Sequence, residues 1–424
     1  MQFLQKIFSR RRTTLEFPPA MQRTSPDGIR YIFQYAPHDD NVAVGFSFKG
    51  GYFDDAAGSP PAALGISQAL IRQAFLPPSP LKEDDFVDRG GAFYLDPEPF
   101  SIKGGLAAPL KAIDKIAQFS SRFLCCSDFA EEAVIAGRES GADWIVHQQS
   151  VPLRRNFNSL VEMALQPGPY FSPARLDVAD MRSVTADDLL EWRDRHFSRS
   201  RLTACLVGRL DASAADSVID AIFSRLKVGS TVDVLMPPLA PFVGARQLRC
   251  DGNEVQAALT VASIEARKSS PVEYLAASLF AYIIGGDEQS RLFKEVRDHF
   301  GAAYDLTCSS NINAESISFS IDGMVDRNSC DDVLECIRRI VGQLAEAGPT
   351  YEEVCRAKKA FGLSYSRILM DHHSAAREVV QLTEAGWSLS AINDVRNLAE
   401  LTDLASNRHL LEPLCASPFV VIDA

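Results

Sequence analysis

Alternation of apolar and polar positions marks the strands of this chain. Val42, Val44, Phe46 and Phe48 recur at every second residue, which puts all four on one face of a strand. That run ends at Gly50-Gly51. A polar loop follows, and Pro60 and Pro61 pre-set a helix start. Helical spacing then takes over from about Ala62 to Phe75, with Ala63, Ile66, Leu70 and Ala74 on one face. A second strand-like run lies near Leu259, Val261 and Ser263. Ile317, Phe319 and Ile321 alternate with serines, as in a strand with one buried face. Leu334 to Leu344 has helical spacing and stops at Ala347-Gly348-Pro349.

These elements occur twice, at a spacing of roughly 215–220 residues, far longer than a solenoid unit. Glu131-Glu132-Ala133-Val134 has a counterpart in Glu352-Glu353-Val354-Cys355. Val184 to Leu189 begins a helix that leads to a strand from Leu202 to Val207. Leu401-Thr402-Asp403-Leu404 is read in the same way, as a helix start leading to a last strand from Pro418 to Ile422. The pattern predicts two homologous domains, at residues 25–227 and 243–424. A linker spans 228–242, where Pro237, Pro238 and Pro241 exclude a helix interior or a central strand. Residues 1–24 read as a basic N-terminal tail. Helix pairs mixed with hairpin-like strands give an α+β class, each domain an antiparallel-rich sheet with helices packed on one face.

Composition narrows the function. The chain has 424 residues, 46% of them hydrophobic and 23% charged, enough for two cores. A net charge of -12 excludes a general nucleic-acid binder, which needs clustered cations. Nine cysteines with no C-x-x-C pair suit thiols in a reducing compartment, so the expected location is cytoplasmic, with the periplasm as the alternative. No stretch approaches the length of a membrane span.

The strand, loop and helix at residues 50–76 resemble a segment of the pitrilysin, insulysin and mitochondrial-processing-peptidase family of zinc metallopeptidases, the inverzincins. In that family the helix carries H-x-x-E-H: two histidines on one face hold zinc, and the glutamate activates water. Aligning Gly65 and Phe75 with the family's glycine and phenylalanine puts Gln68, Ile71 and Arg72 at those three positions. Residues 39–146 contain no histidine, so no slip of register restores the motif. Arg has no lone pair to donate, and Ile71 takes no proton. The third family ligand falls near Asp143 or Trp144, on a helix that Gly137 and Gly141 weaken. Asp143 and His147, four residues apart, make only two metal ligands. Gly90-Gly91 matches the approach to the family's substrate-side strand. The polar N-A-x-T that follows in the family is replaced by Ala92-Phe93-Tyr94-Leu95.

The second half carries the sharper likeness. Ile283-Ile284-Gly285-Gly286 through Ser290-Arg291-Leu292-Phe293 to Arg297, Gly301 and Tyr304 follows the family signature almost position by position. The resemblance implies that Arg297 and Tyr304 bind the peptide substrate and steady its developing oxyanion in the other half-enzyme's cleft. It further implies a heterodimer in which zinc sits on a homologous catalytic subunit and this chain holds no cofactor. Two other readings are open: a structural scaffold subunit with no role in proteolysis, and a peptidase with an unorthodox site. His372 and His373 read as residues of a solvated helix face. His38, His196, His299 and His409 form no ligand set.

Overall fold

The computed structural model describes residues 18–54, 60–164, 176–229, 246–250, 255–266, 268–297, 306–312 and 316–423. Among the described residues, eleven strands form two sheets. The first contains β1 (Met21–Thr24), β2 (Arg30–Tyr35), β3 (Asn41–Lys49), β4 (Ala92–Pro97), β5 (Ser101–Pro109) and β6 (Leu202–Gly208), in the order β1-β2-β6-β3-β5-β4. The second contains β7 (Arg246–Cys250), β8 (Gln256–Ala266), β9 (Thr307–Ile312), β10 (Ser316–Asp326) and β11 (Phe419–Asp423), in the order β7-β11-β8-β10-β9. Apart from β1, the two orders are identical. In each sheet one pair is parallel, β2 with β6 and β7 with β11, and the equivalent others are antiparallel.

The longer helices repeat as well. In the first half they are α1 (Ala62–Phe75), α2 (Ile113–Leu124), α3 (Glu131–Ser150), α4 (Pro152–Ala164), α5 (Ala186–His196) and α6 (Ala212–Phe223). In the second half α7 (Pro271–Gly285), α8 (Cys330–Ala347), α9 (Tyr351–Met370) and α10 (His372–Glu384) correspond to α1 to α4. The α+β class therefore holds, with the duplication visible element by element. The linker expected at 228–242 lies outside the described residues except for Val228 and Gly229.

Each sheet keeps its own helices on one face. Val42, Val44, Phe46 and Phe48 are all buried there, against Ile66 and Leu70 of α1, Ile116 and Phe123 of α2, and Phe223 of α6. The second core gathers Leu259, Val261, Ile317, Phe319 and Ile321 under α7 and α8. The other face of each sheet is covered by a helix of the opposite half. Helix α10 lies across β3 and β6, and helix α4 across β8 and β11. Helices thus cover both faces at the sheet centres, beyond the single helical face the sequence suggested.

The two crossings are made differently. A methyl group on Gly45 of β3 would lie 2.8 Å from the Ala376 carbonyl carbon, so α10 rests directly on strand backbone. At the other crossing Asn156 of α4 is fully buried, and its amide donates to Ala258 O at 2.8 Å, Val421 O at 3.3 Å and Thr260 Oγ1 at 3.3 Å. Leu160 and Ala164 pack beside it on Ala262, Phe419 and Val421.

Three local expectations change. Met21–Thr24 lies within the stretch read as a tail, yet it pairs antiparallel with β2. Arg23 ties it down, donating twice to Asp216 of α6, at 3.2 and 2.7 Å. Four residues are too short a run to show periodicity. Leu401 ends a helix (Val395–Leu401) instead of starting one. Asp403 accepts from Ala405 N at 3.0 Å, a local turn that competes with helix, and the chain resumes as a 3-10 turn and a short helix at Glu412–Ala416. His372 is buried, not solvated, because its Nδ1 donates to Asn41 O at 2.6 Å where α10 meets the first sheet.

Asn156→Ala removes the buried amide's hydrogen bonds to the second sheet and should cost about 2 kcal/mol. Gly45→Ala should cost about 1–3 kcal/mol by forcing α10 away from β3. Thermal melts of both variants check this, and a wild-type melting temperature in either would show that its crossing does not hold the halves together.

Candidate functional site

Helix α1 is positioned by α3, and glycine permits the contact. A methyl group on Gly65 would lie 2.9 Å from Gly137 O, and one on Gly137 would lie 2.9 Å from Gly65 O. The helices therefore cross backbone to backbone. A side chain at Gly141 would run into Met181. The sequence reading took Gly137 and Gly141 as weaknesses of α3; they are what lets α1 and Met181 approach it. The pairing is antiparallel: Gly65 and Ala69 lie beside Gly137, and Gln73 Oε1 accepts from Ala130 N at 2.7 Å just before α3 begins.

This geometry places the three residues that align with the family's zinc motif. Gln68 and Arg72 are exposed, and Ile71 is half-buried against the core. Their neighbours on α3 are its first turns. Asp143 and His147 are both exposed and lie roughly 9 Å or more beyond Gly137. Helix α1 begins only three residues before Gly65, so they sit past its N-terminal end, away from Gln68 and Arg72. Trp144 packs its ring 5.6 Å from that of Tyr52. An amide, an alkyl group and a guanidinium do not fit zinc, and among the described residues no three His, Cys, Asp or Glu side chains gather to hold a metal.

The strand expected on the substrate side, β4, is at the edge of its sheet. Tyr94 and Asp96 point to the face shared with α10. The Tyr94 ring is 5.0 Å from His373, and the Arg377 guanidinium lies 5.7 Å from its centroid. Burial raises the Asp96 carboxyl above its ordinary value, against the lowering pull of Arg377.

The signature segment is held by ion pairs and close packing. A methyl group on Gly285 would lie 2.6 Å from Cys308 N, so the end of α7 runs against β9. Asp287 accepts from Gln289 N at 2.9 Å and from the Tyr282 hydroxyl. Arg291 donates two bonds to Glu353, at 2.8 and 2.9 Å, both side chains mostly shielded from solvent. Glu295 pairs with Arg339 of α8 at 2.7 Å. Leu292 and Val296 are buried between these pairs. The segment is thus tied to α7, α8 and α9.

Glu353 has two tasks. It accepts from Thr350 N at 2.8 Å in a capping box at the start of α9, and it anchors Arg291. The T-x-x-E spacing at Thr350 and Glu353 signals the cap in the sequence, but the ion pair spans 62 residues and left no local trace. Arg297 is the last residue of a π-helical turn, Phe293–Arg297, where its backbone is described and its side chain is not. Tyr304 lies outside the described residues.

Known proteins bear out the frame. A family model described as the Peptidase M16 inactive domain matches residues 183–361, from the start of α5 through the signature segment into α9. That match takes in less than half of the chain, and over it the chain resembles M16 peptidases. An uncharacterised zinc protease of Rickettsia felis is 22% identical to this chain over 340 residues, covering 78% of it and 79% of the relative. An uncharacterised zinc protease of Streptomyces coelicolor is 26% identical over 186 residues, and there the match spans 42% of this chain and 40% of the relative. The crystal structure of a peptidase M16 inactive domain from Pseudomonas fluorescens superposes with a TM-score of 0.80 at 15% identity, covering 95% of this chain and 97% of that one.

The Arg291–Glu353 pair sets a pH dependence. The two Arg291 bonds, helped by the Thr350 cap, hold the Glu353 carboxyl at about 2, against an ordinary glutamate value of 4.5. Its stabilisation is present above pH 4.5 and is lost as pH falls from there toward 2. Glu353→Gln should cost about 2 kcal/mol at pH 7 and much less below pH 3. A stability difference between the two proteins that stays flat from pH 7 to pH 3 would show the pair contributes nothing.

Proposed function

We propose that this chain is the non-catalytic subunit of a two-chain zinc metallopeptidase, with the metal on a homologous partner. One contrast supports the reading. Helix α1 keeps its frame but carries Gln68, Ile71 and Arg72, whereas the segment leading to Arg297 keeps its signature and is braced to three helices. A chain relieved of all contact with substrate has no need to retain the second while losing the first.

On this reading the chain binds and orients peptide. Arg297 and Tyr304 donate hydrogen bonds to a peptide carbonyl oxygen as negative charge grows on it, from the wall facing the partner's cleft. A guanidinium stays charged at any working pH, and a phenol keeps its proton at neutral pH, so both remain donors.

The test is to assay zinc content and peptide cleavage of the chain alone, then mixed with a homologous subunit that carries H-x-x-E-H. The expected result is a zinc-free, inactive chain and an active mixture. Arg297→Ala should lower kcat/KM of the complex roughly 100-fold, with assembly unchanged by size-exclusion chromatography. Stoichiometric zinc with cleavage by the chain alone overturns the proposal. Full turnover of a complex containing Arg297→Ala removes the substrate-binding role and leaves a scaffold subunit.

A further inference from the structure

The end of α2 carries two consecutive free cysteines, Cys125 and Cys126, both partly exposed. Arg193 of α5 reaches across to them. Its Nη1 donates to the Cys126 carbonyl oxygen and lies 3.1 Å from Cys126 Sγ. Arg193 is itself largely buried, and its Nε donates to Asp194 at 3.0 Å. Asp194 is in turn paired with Lys227 at 2.6 Å. The backbone carbonyl of Cys126, next to its own thiol, therefore anchors α5, and α5 packs on α1.

We propose that Cys125 and Cys126 are a redox modification site. A peroxide closes them into a reversible vicinal disulfide, and closure frees Arg193 from the Cys126 carbonyl. The chemistry is complete with a peroxide as oxidant. The Cys126 thiolate sulfur attacks one peroxide oxygen, the O–O bond breaks, and a sulfenic acid and one water result after protonation. Cys125 sulfur then attacks Cys126 sulfur, the S–O bond breaks, and a second water leaves as the S–S bond forms. Two thiols lose two electrons and two protons, and the peroxide is reduced to two waters.

Geometry says why such a bond acts as a switch and not as a staple. Consecutive Cα atoms are about 3.8 Å apart, whereas ordinary disulfides span roughly 4.4–6.8 Å. To close the ring the peptide between the two cysteines must turn and Cys126 must swing about its Cα, which draws its Sγ from the Arg193 guanidinium and shifts the carbonyl on that same Cα that Arg193 holds; a bond closed under strain is readily reduced. Nearby charge and burial pull the thiols in opposite directions. Arg193 favours the Cys126 thiolate by charge and by its hydrogen bond, but burial dominates, pushing Cys125 up to about 11 and Cys126 upward as well. The thiolate is the reacting form, so closure accelerates as pH rises.

The experiment uses the full-length chain treated with hydrogen peroxide, followed by peptide mass mapping without reductant. The peptide holding Cys125 and Cys126 should lose two hydrogens (about 2 Da) and gain no oxygen, and dithiothreitol should restore it. The closed form should melt roughly 1–3 °C lower than the reduced form. Cys126→Ser should abolish both the mass loss and the oxidant-dependent shift, and a Cys355→Ser, Cys415→Ser double variant should keep both. Oxygen addition at this peptide, or an unchanged mass there while Cys355 or Cys415 is oxidised, overturns the site. A disulfide that forms with no change in melting temperature overturns its coupling through Arg193.

Discussion

Two helices of this molecule are seated by main chain lying against main chain, and the placing of their neighbours follows from those contacts. Helix α10 lies on β3 at Gly45, and α1 crosses α3 at Gly65 and Gly137. At each point a single methyl group would meet a neighbouring backbone atom at under 3.0 Å. Dispersion and burial reward such approach only when no side chain intervenes. The glycines cost helix and strand propensity locally, and packing between elements outweighs that cost. Where the second half lacks a glycine at the equivalent crossing, a buried amide, Asn156, makes directed bonds to the strand instead. One architectural task is met by shape in one half and by hydrogen bonding in the other.

Much of the frame was legible in the sequence because it rests on periodicity. The Val42–Phe48 alternation gave β3, and the Ala63–Ala74 spacing gave α1 with both ends correct. The repeat was legible because equivalent strands and helices need similar apolar spacing. Contacts between distant residues were not. Nothing near Gly137 announces Gly65, and nothing near Asn156 announces Val421. His372 looked like a surface residue because a buried imidazole with one long-range partner has the same neighbours in sequence as an exposed one. Met21–Thr24 was lost to its brevity, and its hold on Asp216 spans most of the first half.

At the candidate site, residue type told more than position. Gln68, Ile71 and Arg72 could be judged unfit for a dication from their chemistry alone, and their exposure adds only that no neighbour converts them to another use in the core. The position of the third ligand was harder to read, since it depends on how α3 runs against α1. The antiparallel crossing at Gly137 moves attention from Asp143 and His147 to the first turns of α3. In the second half the signature turned out to be mostly architecture. Gly285, Asp287, Arg291 and Glu295 are engaged in holding the segment to its neighbours, which leaves Arg297 as the position carried by that rigid support.

The exchange of α4 and α10 between the sheets has a bearing on how the chain comes apart. Each half lends the other a helix, as two hands clasp by interlaced fingers. A protease cut in the segment joining the halves would sever the covalent link and leave both grips in place. The fragments would stay together and separate only on denaturation. For the same reason neither sheet can lose its cover without its counterpart's helix moving first, so melting is expected as one event for the whole chain and not as two successive ones.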